Sequence, residues 1–109
     1  MSYSDLMKEI VSTYQKHGWQ WRRALVRTEN RQEFNSACDP QMVETLAIEE
    51  GELDALWFSR GSRADREAWE LRLVAETPFA LFETFEKDET EEQREEMRKE
   101  MEARMKEKL

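Results

Sequence analysis

The sequence has few of the residues from which catalytic and metal-binding sites are usually built. Its 109 residues include one cysteine (Cys38), one histidine (His17), three glycines and two prolines. A zinc site needs several Cys or His ligands, and a phosphate loop needs closely spaced glycines, so neither is expected. A lone Cys and a lone His with no motif linking them are a weak sign of a catalytic pair. We therefore predict no catalytic residue, no metal and no cofactor.

Long apolar runs are also absent. No stretch approaches the ~20 apolar residues that span a bilayer, and Asp5, Lys8 and Glu9 interrupt any apolar segment of a secretory signal. One cysteine cannot form an internal disulfide and gives no reason to expect export. These features predict a small soluble protein of the cytoplasm that makes no membrane contact.

Charge is abundant and uneven. Charged residues make up 39% of the chain, and the formal net charge is −8, which argues against nucleic acid as a partner. Every Trp, Phe and Tyr falls within residues 1–86, whereas 87–109 are highly charged and contain none. We predict a globular domain over 1–86 and a charged helical extension over 87–109.

Apolar spacing predicts mixed secondary structure. Leu6, Ile10, Val11 and Tyr14 form one helical face, which ends before Gly18. Strand patterns cover 19–26, 53–60, 67–75 and 79–85. Two segments stay open: 40–50 is a short helix or a strand, and 77–86 is a strand or a helix. The predicted fold is α+β, a largely antiparallel sheet of three to four strands with the N-terminal helix packed on it.

Alternation along these strands predicts the core. Residues 19–26 place Trp19, Trp21 and Leu25 on one face of a strand. The side chains expected to be mostly buried are Ile10, Tyr14, Leu25, Trp57, Trp69, Leu71 and Leu73.

The C-terminal helix begins at a capping box formed by Thr90 and Gln93. Met97, Met101 and Met105 then recur every four residues. Because an α-helix has 3.6 residues per turn, such a stripe drifts by about 40° per step and does not stay on one face. We expect a helix that projects from the domain and touches it, or a second copy, over a turn or two.

One arginine-rich turn resembles a small anion site in composition. Arg60, Ser62 and Arg63 surround Gly61, and Arg22 is a further candidate. Guanidinium and hydroxyl groups around a glycine can hold a phosphate or a carboxylate. The competing interpretation is a polar hairpin loop whose arginines only contact water.

The tryptophans and methionines suggest an interface with another protein or a second copy. Trp19 and Trp21 are interleaved with arginines, as on single-stranded nucleic acid platforms, but the net negative charge opposes that use. The other candidate interface residues are Met97, Met101 and Met105.

Acidic residues suggest two weaker possibilities. The carboxylates at 49, 50, 52 and 54 could hold a hard cation, but a calcium-loop pattern is absent, which favours a solvated turn. Glu70 or Glu83 beside an arginine could serve an enzyme of unidentified type. We rank a non-catalytic protein-interaction domain first, an anion-binding domain second and an enzyme third.

Overall fold

The computed structural model describes residues 2–62 and 65–108. The helical elements are α1 (Tyr3–Lys16), a 3-10 turn (Thr28–Asn30), α2 (Arg31–Ala37), α3 (Pro40–Thr45) and α4 (Glu91–Lys106). The strands are β1 (Gln20–Arg27), β2 (Ala47–Gly51), β3 (Ala55–Gly61), β4 (Arg66–Leu73) and β5 (Ala80–Glu86).

Helix α1 ends before Gly18, as the sequence predicts. The Ser2 side chain accepts a hydrogen bond from the Asp5 backbone N–H at 3.2 Å and caps the first turn. At the other end Gly18 has a φ of +84°, a conformation that side-chain-bearing residues rarely adopt. This turn sends the chain directly into β1.

The sheet has five strands in the order β2-β1-β3-β4-β5. The α+β class is confirmed, but the sheet is larger than the predicted three to four strands and is mixed. Strand β2 pairs in parallel with β1, while the other pairs are antiparallel. The added strand comes from 40–50, whose first half is α3 and whose second half is β2. Both alternatives that the sequence left open for this segment are therefore present, one after the other.

Two other segments have settled assignments. Residues 80–86, for which a strand and a helix were both open, form a strand. The polar composition of 28–41 predicts an irregular segment with one helical turn near Phe34, but this stretch is mostly helical. Phe34 is fully buried and anchors α2 against the sheet.

The sheet separates two apolar clusters. On one face α1 and α2 pack against Val26, Leu56 and Phe58. On the other face α4 packs against the residues that alternate with them, including Trp57 and Leu71. The protein is therefore three-layered, with helices on both faces of the sheet.

The predicted core is largely confirmed. Five of its members are buried: Ile10, Leu25, Trp57, Trp69 and Leu71. Tyr14 and Leu73 are only partly buried and lie at the margins of the two clusters.

A bulge in β1 corrects the predicted faces of that strand. Trp21 pairs with Phe58 and Arg23 pairs with Trp57, so Arg22 is an extra residue with no register partner. The bulge reverses the alternation, and Trp21 packs with the α1 cluster while Leu25 packs with the α4 cluster. The prediction that they share a face was wrong.

Helix α4 packs on the sheet, so the expectation that it projects was wrong. Met101 and Met105 are fully buried, and Met97 is partly buried against the same cluster. The buried row also includes Arg98, which is 1% exposed. With the partly buried Arg94, the row consists of Arg94, Arg98, Met101 and Met105. These residues are four, three and four positions apart, which keeps one face of the helix toward the sheet.

In the part of the chain that the structure describes, no helix has the length and apolar character required to cross a membrane.

Candidate functional site

Two residues of the predicted anion site, Arg22 and Arg60, are each engaged by other groups of the protein. The Arg60 guanidinium lies 4.5 Å from the centre of the Trp19 ring and donates to the His17 carbonyl at 3.3 Å. Arg22 Nε instead donates to Ser59 Oγ at 2.9 Å. Because neighbouring residues of a strand point to opposite faces, these contacts place Arg22 and Arg60 on opposite sides of the sheet. Ser62 is exposed, and Arg63 lies outside the described residues.

The candidate interface side chains are mostly enclosed. Trp19 is 9% exposed and makes an edge contact with Tyr14. Trp21 is partly buried, meets Phe34 edge-on and donates its indole N–H to the Arg23 carbonyl at 3.0 Å. Met101 and Met105 are inside the core. Trp19, Met101 and Met105 are therefore closed to a partner in the folded protein, whereas Trp21 and Met97 stay partly accessible.

Three arginines of and beyond β1 have acidic partners within the chain. Arg23 pairs with Glu95 of α4 at 3.0 Å, and Arg31 approaches Glu50 at 3.9 Å. Arg27 pairs with Glu29 at 3.0 Å. These pairs leave less positive charge for a nucleic acid backbone than the sequence suggests.

Cys38 and His17 have separate structural roles. Burial raises the pKa of the Cys38 thiol, although Lys8 acts in the opposite direction, so the reactive thiolate is disfavoured. The His17 Nδ1 atom lies 2.8 Å from the Thr13 carbonyl at the end of α1. This geometry does not prepare either group as a nucleophile or a base.

The acidic segment after α3 is held by hydrogen bonds and ion pairs. Glu49 accepts from Lys99 Nζ at 2.9 Å, and Glu52 pairs with Lys106, so both link β2 and its turn to α4. Asp54 accepts from the Arg27 backbone N–H at 2.9 Å and from the Asn30 amide at 2.7 Å. Among the described residues no group of three or more His, Cys, Asp or Glu is placed to hold a metal.

Several concave sites lie along the described part of the sheet, and two of them involve residues discussed above. A cleft of about 220 Å³ lies between β2 and α4, with Leu25 and Leu53 in its lining and Lys99 and Lys106 on the helix side. A second of about 150 Å³ lies among α1, α2 and β1, with Trp21 in its lining. The ion pairs from Lys99 and Lys106 to the acidic segment span the first.

The candidate carboxylate Glu70 accepts a hydrogen bond from the Tyr14 hydroxyl. Tyr14 also stacks on Phe58, with ring centres 4.1 Å apart. Burial, and then the hydrogen bond to Glu70, raise the pKa of Tyr14, so the phenol keeps its proton at neutral pH. The pair joins α1 to β4.

The most exposed apolar feature is on β5, which is an edge strand of the sheet. Phe82 is 57% exposed and is the one large apolar side chain that is exposed in the described ranges. It pairs in register with Glu70 on β4, which places it on the α1 side of the sheet. Its neighbour Phe85 points the other way and is buried under α4.

The free side of β5 carries its own carboxylates. The Thr84 backbone N–H donates to Glu83 Oε1 at 3.2 Å, and the Glu86 N–H donates to Glu89 Oε1 at 3.0 Å. Both amides therefore bond to side chains instead of another strand. We define the β5 edge as the segment Ala80–Glu86 together with Glu89.

Sequence reasoning missed Phe82 and named Glu83 only as a possible catalytic group. The sequence does indicate that Phe82 points to the opposite face of the predicted strand from Leu81 and Glu83. What it could not show is that β5 ends the sheet and that α1 leaves this position uncovered.

Comparison of the chain with protein-family models, with curated proteins and with solved structures finds no match in any of the three. A functional proposal for this chain therefore rests on the contacts described above.

Proposed function

We propose that this protein is a non-catalytic interaction domain of the cytoplasm that binds another protein along the β5 edge. The observation that carries the proposal is Phe82, a large apolar side chain 57% exposed on the outermost strand. An edge strand offers unpaired backbone groups to an added strand, and a neighbouring apolar side chain supplies the contact area.

The arrangement of the rest of the molecule supports this use of the edge. Helices cover both faces of the central strands, and the tryptophans and methionines predicted to form an interface are buried or partly buried. Among the large apolar side chains of the described residues, Phe82 is the one that no helix covers and that is exposed. Single exposed apolar residues are common on protein surfaces, so the support comes from its position on an open edge.

The two alternatives receive less support. The anion-binding alternative was predicted at Arg60, Ser62 and Arg63, with Arg22 as a further candidate. Arg60 is already engaged by the Trp19 ring and the His17 carbonyl, and Arg22 contacts the opposite side of the sheet. An enzyme would require an activated group, and the raised pKa values of Cys38 and Tyr14 keep both in their protonated, unreactive forms.

Photo-crosslinking tests the proposal in a cell extract. A photoreactive phenylalanine analogue is placed at Phe82 and, as a matched control, at the exposed Gln41 of α3. We expect a defined protein product from position 82 that is absent from position 41 and is reduced when unlabelled wild-type protein competes. Equal products from both positions, or none from position 82, would contradict the proposal.

A thermal-shift screen with phosphates, nucleotides and small carboxylates separates the alternatives. We expect no stabilisation by these compounds. A rise in melting temperature with phosphate that is lost in Arg60→Met would instead support the anion-binding domain.

A further inference from the structure

Two glutamates cover the hydrogen-bonding groups through which the β5 edge would accept another strand. Glu83 bonds to the Thr84 N–H and Glu89 to the Glu86 N–H. Alternate residues of an edge strand direct their N–H groups outward, so these two donors belong to the side that faces away from β4. Glu86 itself is engaged elsewhere, since its carboxylate pairs with Arg66 at 3.0 Å.

This arrangement sets a chemical condition on any strand that binds there. Natural proteins protect edge strands with charged side chains, which discourages indiscriminate pairing. An incoming strand must take over the Thr84 and Glu86 amides, and the two displaced carboxylates then lose their hydrogen-bond donors. A carboxylate left without a partner next to a new interface is unfavourable, whereas one that meets a cation is stabilised.

We propose that the occupant of the β5 edge is an extended segment of another protein in which Lys or Arg alternates with apolar residues. The cations pair with the Glu83 and Glu89 carboxylates when these give up their hydrogen bonds to the backbone. An apolar residue of the segment packs on Phe82. Because side chains of a strand alternate between faces, one segment can present both kinds of group. The inference rests on the proposed function and specifies the chemistry of the partner.

Charge complementarity favours such a partner over a second copy of this chain. The protein carries a net charge of −8, and β5 contains Glu83 and Glu86 but no Lys or Arg. Pairing two β5 strands would bring these carboxylates together without a cation in either strand. Like charges across a strand pair are destabilising, so the self-complex is disfavoured.

A displayed library of short random peptides tests the inference with full-length protein. The peptides enriched on the wild type are expected to alternate Lys or Arg with apolar residues and to shift the amide resonances of Ala80–Glu86. Phe82→Ser should weaken the enriched peptide by about tenfold or more, as a central apolar contact does. Enriched peptides that are neutral or acidic, or shifts confined to another surface, would overturn the inference.

A double variant isolates the role of charge. Glu83→Gln with Glu89→Gln keeps an acceptor oxygen for each amide but removes both charges. We expect the cationic peptide to bind about threefold to tenfold more weakly, the effect of two partly exposed ion pairs. The matched control is Glu96→Gln with Glu100→Gln on the outer face of α4, which has the same net charge and should bind like the wild type.

The outcomes distinguish this inference from the proposed function. If both double variants weaken binding equally, or if neither does, Glu83 and Glu89 do not select the partner and the inference fails. The crosslinking experiment at position 82 does not depend on the charge of the partner. A crosslinked product with a neutral partner would therefore support the proposed function and contradict this inference. A complex formed by a second copy through β5 would also overturn the inference.

Discussion

The guanidinium carbon of Arg98 lies 5.0 Å from the centre of the Trp69 ring, in the layer between α4 and the sheet. It is also 5.9 Å from the Phe85 ring, and its Nη2 atom donates to Glu95 at 2.9 Å. Aromatic faces attract a cation most strongly where water is excluded. A charged side chain thus acts as a core residue, with its guanidinium group over aromatic rings and its charge paired with Glu95.

Replacement of Arg98 tests this packing role. Arg98→Ala should lower the free energy of unfolding by about 2–4 kcal/mol, because it leaves a cavity over Trp69 and removes a buried cation. Arg98→Met should lower the free energy of unfolding by a smaller amount, since it keeps an apolar side chain in the same row as Met101. Chemical denaturation measures both changes, and equal losses for the two variants would show that charge, not packing, dominates.

Deletion of 88–109 tests whether the boundary predicted near residue 87 separates an independent domain. We expect the truncated chain to be unfolded or insoluble, because Trp57, Trp69 and Phe85 would lose the helix that covers them. Met101→Ala alone should cost about 2–5 kcal/mol. A truncated chain that melts cooperatively within a few degrees of the intact protein would support the original division.

Acidification should weaken the link between β1 and α4. Partial burial on its own would raise the pKa of Glu95, but its pairs with Arg98, Arg23 and Lys99 together lower it. A carboxyl whose pKa is lowered by folding stabilises the protein above its unfolded-state pKa of about 4.3. That contribution is lost as the pH falls through the folded-state pKa.

Denaturation of Glu95→Gln across pH measures this contribution. The difference in stability from the wild type should be largest near neutral pH and should vanish in acid. Glu96→Gln, at an adjacent exposed position, provides the control and should show no such trend. A constant difference at every pH would contradict the proposed ion-pair effect.

Alkaline titration should couple to unfolding. The chain has two tyrosines, Tyr3 and Tyr14, and burial raises the pKa of both; for Tyr3 the nearby Asp54 adds to the effect and for Tyr14 the hydrogen bond to Glu70 does. Because the folded-state pKa is raised, stability is fully present below the unfolded-state pKa of about 10 and falls as the pH rises above it. Phenolate absorbance should therefore appear together with loss of tertiary structure. Ionisation of both tyrosines near the free value, with the fold intact, would contradict this account.

The sequence was most informative where the pattern is local. The turn at Gly18 and the position of Trp69 and Leu71 on one face of a strand each predict an element that the structure contains. Strand β2 was hidden because it is five residues long, acidic and paired in parallel with a distant strand. No feature of the Ala47–Gly51 sequence predicts such a nonlocal pairing.

Two other errors arose from single residues. The bulge at Arg22 reverses the faces of β1, and no Gly or Pro marks it. In the sequence of α4 the apolar pattern starts at Met97, because Arg94 and Arg98 are polar by type although they occupy the buried row. The candidate site was missed for a related reason: the exposure of Phe82 depends on where the strand order ends, which is set by the whole fold.

Hydrogen exchange of the β5 amides tests the central claim that this edge pairs with a strand of another protein. The measurement compares the free protein with its complex with the partner captured by crosslinking at Phe82. We predict that protection rises at Phe82, Thr84 and Glu86, because their outward N–H groups become bonded to the added strand. Unchanged protection of β5 in that complex, with new protection on another surface, would contradict the account.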